Sequence, residues 1–279
     1  VTVESPDDVV AEWDGHVGSA VIDPGGVVAS WGALDLAVRL ASVSKPVTAL
    51  AALVALEEGA VSLDEAAGPP GSAVVDLLAH SSGYDFDSTR ILAPPRTRRI
   101  YSNTGWEVLF GHLASRTGIP WRTYLQDAVL DPLAMGATIV KGSPAKDLHG
   151  SVRDLISFVG ELFEPTLVHS STLDEATSPV FADLDGVLPE VGVQRPNPWG
   201  LGFEVRGHKS PHWTGRRNSP RTYGHFGGSG TFLWVDPDAG LGLIGLGVRD
   251  FGPWALDLWP RLSDAVLNTF APASLERHG

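Results

Sequence analysis

Apolar residues follow three patterns along the chain. Over residues 46–58, Val47, Leu50, Ala51, Leu53, Val54 and Leu56 leave almost no polar face, which predicts a helix buried on most sides. Pro46 suits its first turn, where the missing N–H is not needed, and Gly59 suits the position just past its end. Residues 17–22 and 27–31 are β-prone runs separated by Asp23-Pro24-Gly25-Gly26, a turn-forming centre that predicts a hairpin. From Ala60 to about Pro196 the pattern is mainly helical. A short helix is expected over 72–79 and a stronger one over 104–115, with Trp106, Leu109, Phe110 and Leu113 on one face and Gly118 beyond it. Another is expected over 120–130, and Ser151-Val152-Arg153-Asp154 resembles a capping box ahead of Leu155, Ile156, Phe158, Val159 and Leu162. Residues 183–198, with Pro189, Pro196 and Pro198, read as loop.

Strand signals return over 201–205, 231–235 and 241–248, the last two joined by a turn at Asp236-Pro237-Asp238-Ala239-Gly240. Residues 253–270 predict a closing helix, bent or broken at Pro260. The expected fold class is therefore α+β: an antiparallel sheet assembled from both ends of the chain, flanked by N- and C-terminal helices, with an all-helical region inserted. Residues 1–60 and 196–279 would form the sheet region and 61–195 the helical region of one domain. No internal repeat is visible.

Composition narrows the function. The chain has 279 residues, 43% hydrophobic and 19% charged, enough for a sizeable core. A formal net charge of −13 argues against a general binder of nucleic acid or anionic membranes, both of which need basic surface. The absence of cysteine removes disulfides, thiolate metal sites and a cysteine nucleophile. No apolar run approaches the roughly 18 residues of a membrane span. The first twenty residues carry Glu4, Asp7, Asp8, Glu12 and Asp14 rather than a basic and then apolar leader, which favours a soluble, cytoplasmic protein; the chain begins at Val1, so a removed leader stays open.

Three stretches could carry chemistry. In Ala41-Ser42-Val43-Ser44-Lys45-Pro46-Val47, Ser42 and Lys45 lie three apart at the start of the buried helix, so an amine can reach a hydroxyl and activate it as a nucleophile. The helix N-terminus favours developing negative charge. Tyr101-Ser102-Asn103 precedes the helix of Trp106; a tyrosine can relay protons if nearby cations lower its pKa from about 10, and an asparagine amide can orient a lysine and a substrate carbonyl. Gly224-His225-Phe226-Gly227-Gly228-Ser229-Gly230 lies between predicted strands, and a glycine-rich strand edge lets a substrate approach backbone N–H groups.

In this order the stretches resemble the Ser-x-x-Lys, Ser-Asp-Asn and Lys-Thr-Gly motifs of the penicillin-recognising serine hydrolases: serine β-lactamases, penicillin-binding proteins and related esterases. Tyr101-Ser102-Asn103 is similar to the Tyr-x-Asn form of class C β-lactamases. Leu77-Leu78-Ala79-His80-Ser81-Ser82-Gly83 and Asp131-Pro132-Leu133-Ala134-Met135 also look like segments of that family, so the likeness runs from about Val17 to Phe270. The resemblance implies a β-lactamase/transpeptidase-like fold, Ser42 as the acylated nucleophile and Lys45 as its amine partner. It further implies proton exchange through Tyr101, positioning of lysine and substrate by Asn103, and an oxyanion hole from the N–H groups of Ser42 and Gly228. His225 and Gly227 would line the substrate.

The third motif departs from the family. His225-Phe226-Gly227 stands in place of Lys-Thr-Gly, replacing a permanent cation by a side chain mostly neutral at pH 7 and removing a hydroxyl. A weakened carboxylate clamp favours an esterase or amidase over an efficient β-lactamase. A D-alanyl-D-alanine carboxypeptidase or an inert penicillin-binding-like sensor is the alternative. The partner expected is a small ester, amide or β-lactam-like molecule, with no cofactor and no metal.

Other features carry less. His208, His212 and His225 lack a His-Glu-x-x-His arrangement and sit near Lys209, Arg216 and Arg217, which disfavours a cation. Residues 240–245 match G-x-G-x-x-G but open no helix. Arg96, Arg98 and Arg99 could bind an anion or act on Tyr101, although such clusters more often pair with surface carboxylates. His80 reads as a structural hydrogen-bonder after a helix.

Overall fold

The computed structural model describes residues 4–271. Helix α1 (Pro6–Ala11) leads into the hairpin β1 (His16–Asp23) and β2 (Gly26–Gly32), and β3 (Val38–Arg39) and a 3₁₀ turn (Ala41–Val43) precede α2 (Ser44–Glu57). There follow α3 (Val74–Leu78), β4 (Arg99–Ile100), α4 (Asn103–Thr117) and α5 (Trp121–Leu125), which continues as a π turn over Gln126–Leu130. Then come β5 (Ile139–Val140), β6 (Leu148–Gly150), α6 (Val152–Phe163), α7 (Ser170–Ala176), β7 (Gly186–Leu188) and β8 (Gly192–Gln194). The chain closes with β9 (Glu204–Val205), β10 (Tyr223–Gly227), β11 (Thr231–Asp236), β12 (Leu241–Gly247) and α8 (Pro253–Phe270).

The main sheet has the order β2-β1-β12-β11-β10-β9 and is antiparallel throughout. Strands from the two ends of the chain meet at β1 and β12, where Ala20 faces Ile244. Side chains alternate between two cores. Ala20, Ile22, Leu233, Val235, Ile244 and Leu246 join α2 and α6 on one face, while Val21, Phe232, Trp234, Leu241 and Leu243 join α1 and α8 on the other. Burial on both faces explains why these strands read as continuous apolar runs. Trp13, Phe232 and Trp259 fill the second core, with ring centroids 4.8 Å apart for Phe232 and Trp259 and 5.9 Å for Trp13 and Phe232. Gly245 makes room for them: a Cβ there would lie 2.5 Å from the Phe232 ring and 2.8 Å from Trp13.

The inserted region is mainly, not wholly, helical. The expected loop over 183–198 contains the β7–β8 hairpin, and β7 pairs in parallel with β4, Arg99 facing Gly186. A second small sheet has the order β3-β6-β5. Strands of two or three residues carry no period that a sequence pattern could register. Helix α8 runs unbroken through Pro260, because Trp259 and Leu262 on either side of it are both packed into the sheet. Helix α2 starts at Ser44, two residues before the expected start, so Pro46 still falls in the first turn.

Valine at Gly245 is expected to destabilise the protein by about 1–3 kcal/mol through overpacking of the Trp13–Phe232–Trp259 layer. A urea denaturation midpoint equal to that of the parent chain would contradict this account of the second core.

Candidate active site

Ser42 lies in the 3₁₀ turn and is half-buried, whereas Ser44, Lys45 and the following turns of α2 are buried. Ala41, immediately before it, has φ +46°, a backbone conformation uncommon for a residue with a Cβ and often found where strain is held at a functional position. The surroundings over-determine that turn. Thr231 Oγ1 donates to the Leu40 carbonyl at 2.8 Å, and Ser229 Oγ donates to the Arg39 carbonyl at 2.7 Å, tying the β10–β11 turn to the segment before Ser42. Gly227 is needed where the two meet, since a Cβ there would stand 2.4 Å from the Leu40 oxygen and 3.1 Å from the Ala41 methyl. On the other side, the Leu148 N–H donates to Ser44 Oγ at 3.1 Å.

Lys45 is fully buried. Its Nζ donates to Asn103 Oδ1 at 2.7 Å and to the Ala145 carbonyl at 3.0 Å, and sits 4.6 Å from the centre of the Tyr101 ring. Neither acceptor carries a full charge. Burial, reinforced by the Lys146 cation, pushes the amine well below the ordinary lysine range, against the smaller pull of Asp87 and Glu107.

Tyr101 and His225 are joined across the site, with Tyr101 Oη 3.3 Å from His225 Nε2. The other ring nitrogen, Nδ1, is 2.6 Å from the Phe226 carbonyl, which can only accept. The proton of the neutral ring therefore sits on Nδ1, Nε2 is an acceptor, and the phenol donates to it. Burial, followed by the cationic form of Lys45, pushes His225 down to about 3. Burial likewise pushes the Tyr101 phenol up, with the Ser42 hydroxyl acting in the opposite direction. The phenol is raised rather than lowered although the Lys45 amine lies 4.6 Å from the ring centre, because desolvation sets the direction.

Asn103 is the first residue of α4, and Ser102 is its N-cap, accepting from the Gly105 N–H at 3.0 Å. The Asn103 amide donates to Asp87 Oδ1 at 2.9 Å, and Lys146 pairs with the same carboxylate oxygen at 3.1 Å. This orientation directs the Asn103 oxygen at Lys45. Asp87, the Ala145 carbonyl and Trp199 were not legible as site components, because each comes from a loop with no motif. Trp199 lies edge-on to His225 and His80, with centroids 5.4 and 4.8 Å away. His80 is a structural hydrogen-bonder: it accepts from the Ser102 N–H at 3.2 Å and packs 4.5 Å from the Tyr101 ring.

Ser42, Tyr101, His225 and Gly228 open onto a common chamber of 130 Å³, with Phe86, Leu188, Pro189, Glu190 and Phe226 completing its wall. Lys45 and Asn103 are not part of that wall. Among the described residues, the only charged side chain lining this chamber is Glu190.

The remaining candidates fall elsewhere. Arg96 bonds the buried Asp76 carboxylate through Nε and Nη2, both at 2.9 Å to their nearer oxygens, and Arg99 is buried, giving its guanidinium to the carbonyls of Asn197, Ala79, Val180 and Phe181. His212 donates to Glu204 at 2.8 Å, His208 is exposed, and the three histidines do not converge. The G-x-G-x-x-G match lies within β12 and the turn before it. Among the described residues no helix is long and apolar enough to cross a membrane.

A sheet joining β1 and β2 to β9–β12, a helix start carrying Ser42 beside β10 and a Tyr-x-Asn segment across from it make a β-lactamase/transpeptidase-like fold. The sequence matches the Beta-lactamase family over residues 13–263, and the chain belongs to that family. It is similar to a crystal structure of a beta-lactamase from Mycobacterium bovis, at 50% identity and a TM-score of 0.94, covering 96% of this chain and 100% of the other. EstCE1, a hydrolase with promiscuous acyltransferase activity, shares the fold at 18% identity and a TM-score of 0.74, covering 94% and 97% of the two chains. A Salmonella gallinarum relative named as a D-alanyl-D-alanine carboxypeptidase is 25% identical over 261 residues, covering 69% of this chain and 60% of the relative. The chain thus spans about three-fifths of the length of that relative.

The buried neutral His225 makes a pH prediction. Its folded pKa lies below the unfolded value near 6.5, so the stability it contributes is complete above pH 6.5 and is lost as pH falls from there toward 3. His225→Asn is expected to reduce the slope of unfolding free energy against pH near pH 5 by about 1 kcal/mol per pH unit. Equal slopes in urea titrations of the two proteins would show that the ring is not held neutral.

Proposed function

We propose that the protein is a serine hydrolase that forms an acyl-enzyme on Ser42 and prefers neutral esters or amides to β-lactams. The neutral form of Lys45 has two N–H bonds, directed to Asn103 and Ala145, and one lone pair left to take the Ser42 proton. Ser42 Oγ then bonds to the substrate carbonyl carbon, and the N–H groups of Ser42 and Gly228 hold the oxyanion. As the bond to the leaving group breaks, Tyr101 Oη gives it a proton and is reprotonated from the Lys45 ammonium. Water enters by the reverse route: Tyr101 passes its proton to Lys45 as it takes one from the water, the water oxygen attacks the acyl carbon, and the Lys45 ammonium protonates Ser42 Oγ as the acyl bond to it breaks. The raised phenol and lowered amine favour this division, in which lysine is the base and tyrosine the donor. Asn103, held by Asp87, positions the amine.

The observation that carries the substrate preference is the charge of the chamber. His225 is neutral and engaged with Tyr101, no Lys or Arg lines the cavity among the described residues, and the exposed Glu190 would repel an anion. A β-lactam or D-alanyl-D-alanine carboxylate therefore lacks a cationic partner. A charge-assisted hydrogen bond of roughly 1.5–3 kcal/mol corresponds to a loss of about 10- to 100-fold.

A fluorophosphonate should add to the intact protein at Ser42 and not to Ser42→Ala, read by mass. The kcat/KM for a short p-nitrophenyl ester is expected to exceed that for a chromogenic cephalosporin by at least about tenfold, and the reverse order would restore the β-lactamase reading. Tyr101→Phe should keep the fold and lower kcat by about 10²- to 10⁴-fold. The acid limb of kcat/KM, where Lys45 takes up a proton, should have a midpoint well below the ordinary lysine value near 10.4.

A further inference from the structure

The Ser42 chamber is about the size of a cavity that holds benzene, roughly 150 Å³. A larger acyl group has to leave it. Phe86, Tyr101 and Pro189 also line a neighbouring trough of 430 Å³, within the range of roughly 300–1,000 Å³ usual for ligand sites. Its wall is predominantly apolar. Val187 and Val193 face each other across the β7–β8 hairpin and are 56% and 55% exposed, and Phe86 and Leu92 on the opposite side are 46% and 37% exposed. Four large apolar side chains open to water around one trough, which shares Phe86, Tyr101 and Pro189 with the wall of the Ser42 chamber, mark a binding surface. Its charged lining is largely engaged: Arg99 is committed to backbone carbonyls, Arg98 donates to the Leu92 carbonyl at 3.3 Å, and Arg195 pairs with Asp185 at 3.5 Å.

We propose that this trough is the subsite for a medium-length acyl chain, making the preferred substrates neutral esters or amides of such acids. The inference rests on the acyl-enzyme reading above. The acyl arm is assigned to the trough because the leaving group must sit at the Tyr101 hydroxyl, which is turned toward His225 on β10, while the stacked rings of Phe86 and Tyr101, 5.8 Å apart, form the wall common to chamber and trough. The hairpin that supplies Val187 and Val193 therefore sets chain length without touching the reacting atoms.

The test is a p-nitrophenyl ester series from acetate to octanoate, with octyl acetate as the control for the alcohol arm. In the parent chain kcat/KM is expected to rise by about two- to fourfold per added methylene of the acyl arm until the trough is filled. Val187→Asp and Val193→Asp change exposed positions; each should keep fluorophosphonate labelling and acetate turnover while cutting the octanoate-to-acetate ratio by at least about tenfold. A flat acyl series, an unchanged ratio in both variants, or a gain only from lengthening the alcohol would overturn the subsite while leaving Ser42 acylation intact. Absence of Ser42 labelling in the parent chain would instead overturn the acyl-enzyme reading and this subsite with it.

Discussion

The site depends on one costly placement, the amine of Lys45 held out of water against two uncharged acceptors, Asn103 Oδ1 and the Ala145 carbonyl. An ammonium so placed has no carboxylate in contact, and the pull of Asp87 and Glu107 is smaller than its desolvation, so the neutral amine is favoured. Everything around it maintains that condition. Thr48, one turn on, donates to the carbonyls of Ser44 and Pro144 and accepts from Trp106 Nε1 at 2.9 Å, locking the helix start to α4 and to the loop that carries Ala145. Asp87 turns the Asn103 oxygen inward from the far side.

The main sheet supplies the rigidity this placement needs. Because both of its faces are buried, β10 and β11 have little freedom to shift, and the hydroxyls of Ser229 and Thr231 hold the chain before Ser42 to the end of β10. Gly227 permits the close approach, and the left-handed Ala41 is its consequence. Ser42 is thus set by a strand end and a helix start that are far apart in sequence, an arrangement that favours precise positioning over loop mobility.

Charge then separates this chain from a carboxylate-binding relative. A lysine at position 225 would present a cation to the chamber; histidine there donates inward to the Phe226 carbonyl and receives the Tyr101 hydroxyl, so it joins the proton network instead of facing substrate as an ion. Position 225 thus gives the chamber no cation, and its ring orients the Tyr101 hydroxyl. With the apolar trough beside it, the proposed acyl group would gain its affinity from burial, not ion pairing.

The two-ended sheet and the buried helix were legible in the chain, because they follow from apolar periodicity and turn chemistry, and the stretches that carry Ser42, Lys45, Tyr101 and Asn103 stood out by their short spacings. The neutral character expected of His225 was legible from its side chain alone. The β7–β8 hairpin was not, since its strands are too short to show a period and are stabilised by pairing with Arg99 and Ile100 some ninety residues earlier. Nor were Asp87, Trp199 and Ala145, which reach the site from loops. Above all, the direction of the two pKa shifts was undecidable from spacing: a Lys45 amine near Tyr101 suggests a lowered phenol, and the complete burial of both groups raises the phenol and lowers the amine. Residue types specify which protons can move; only the packed environment, through desolvation, decides which group gives and which receives.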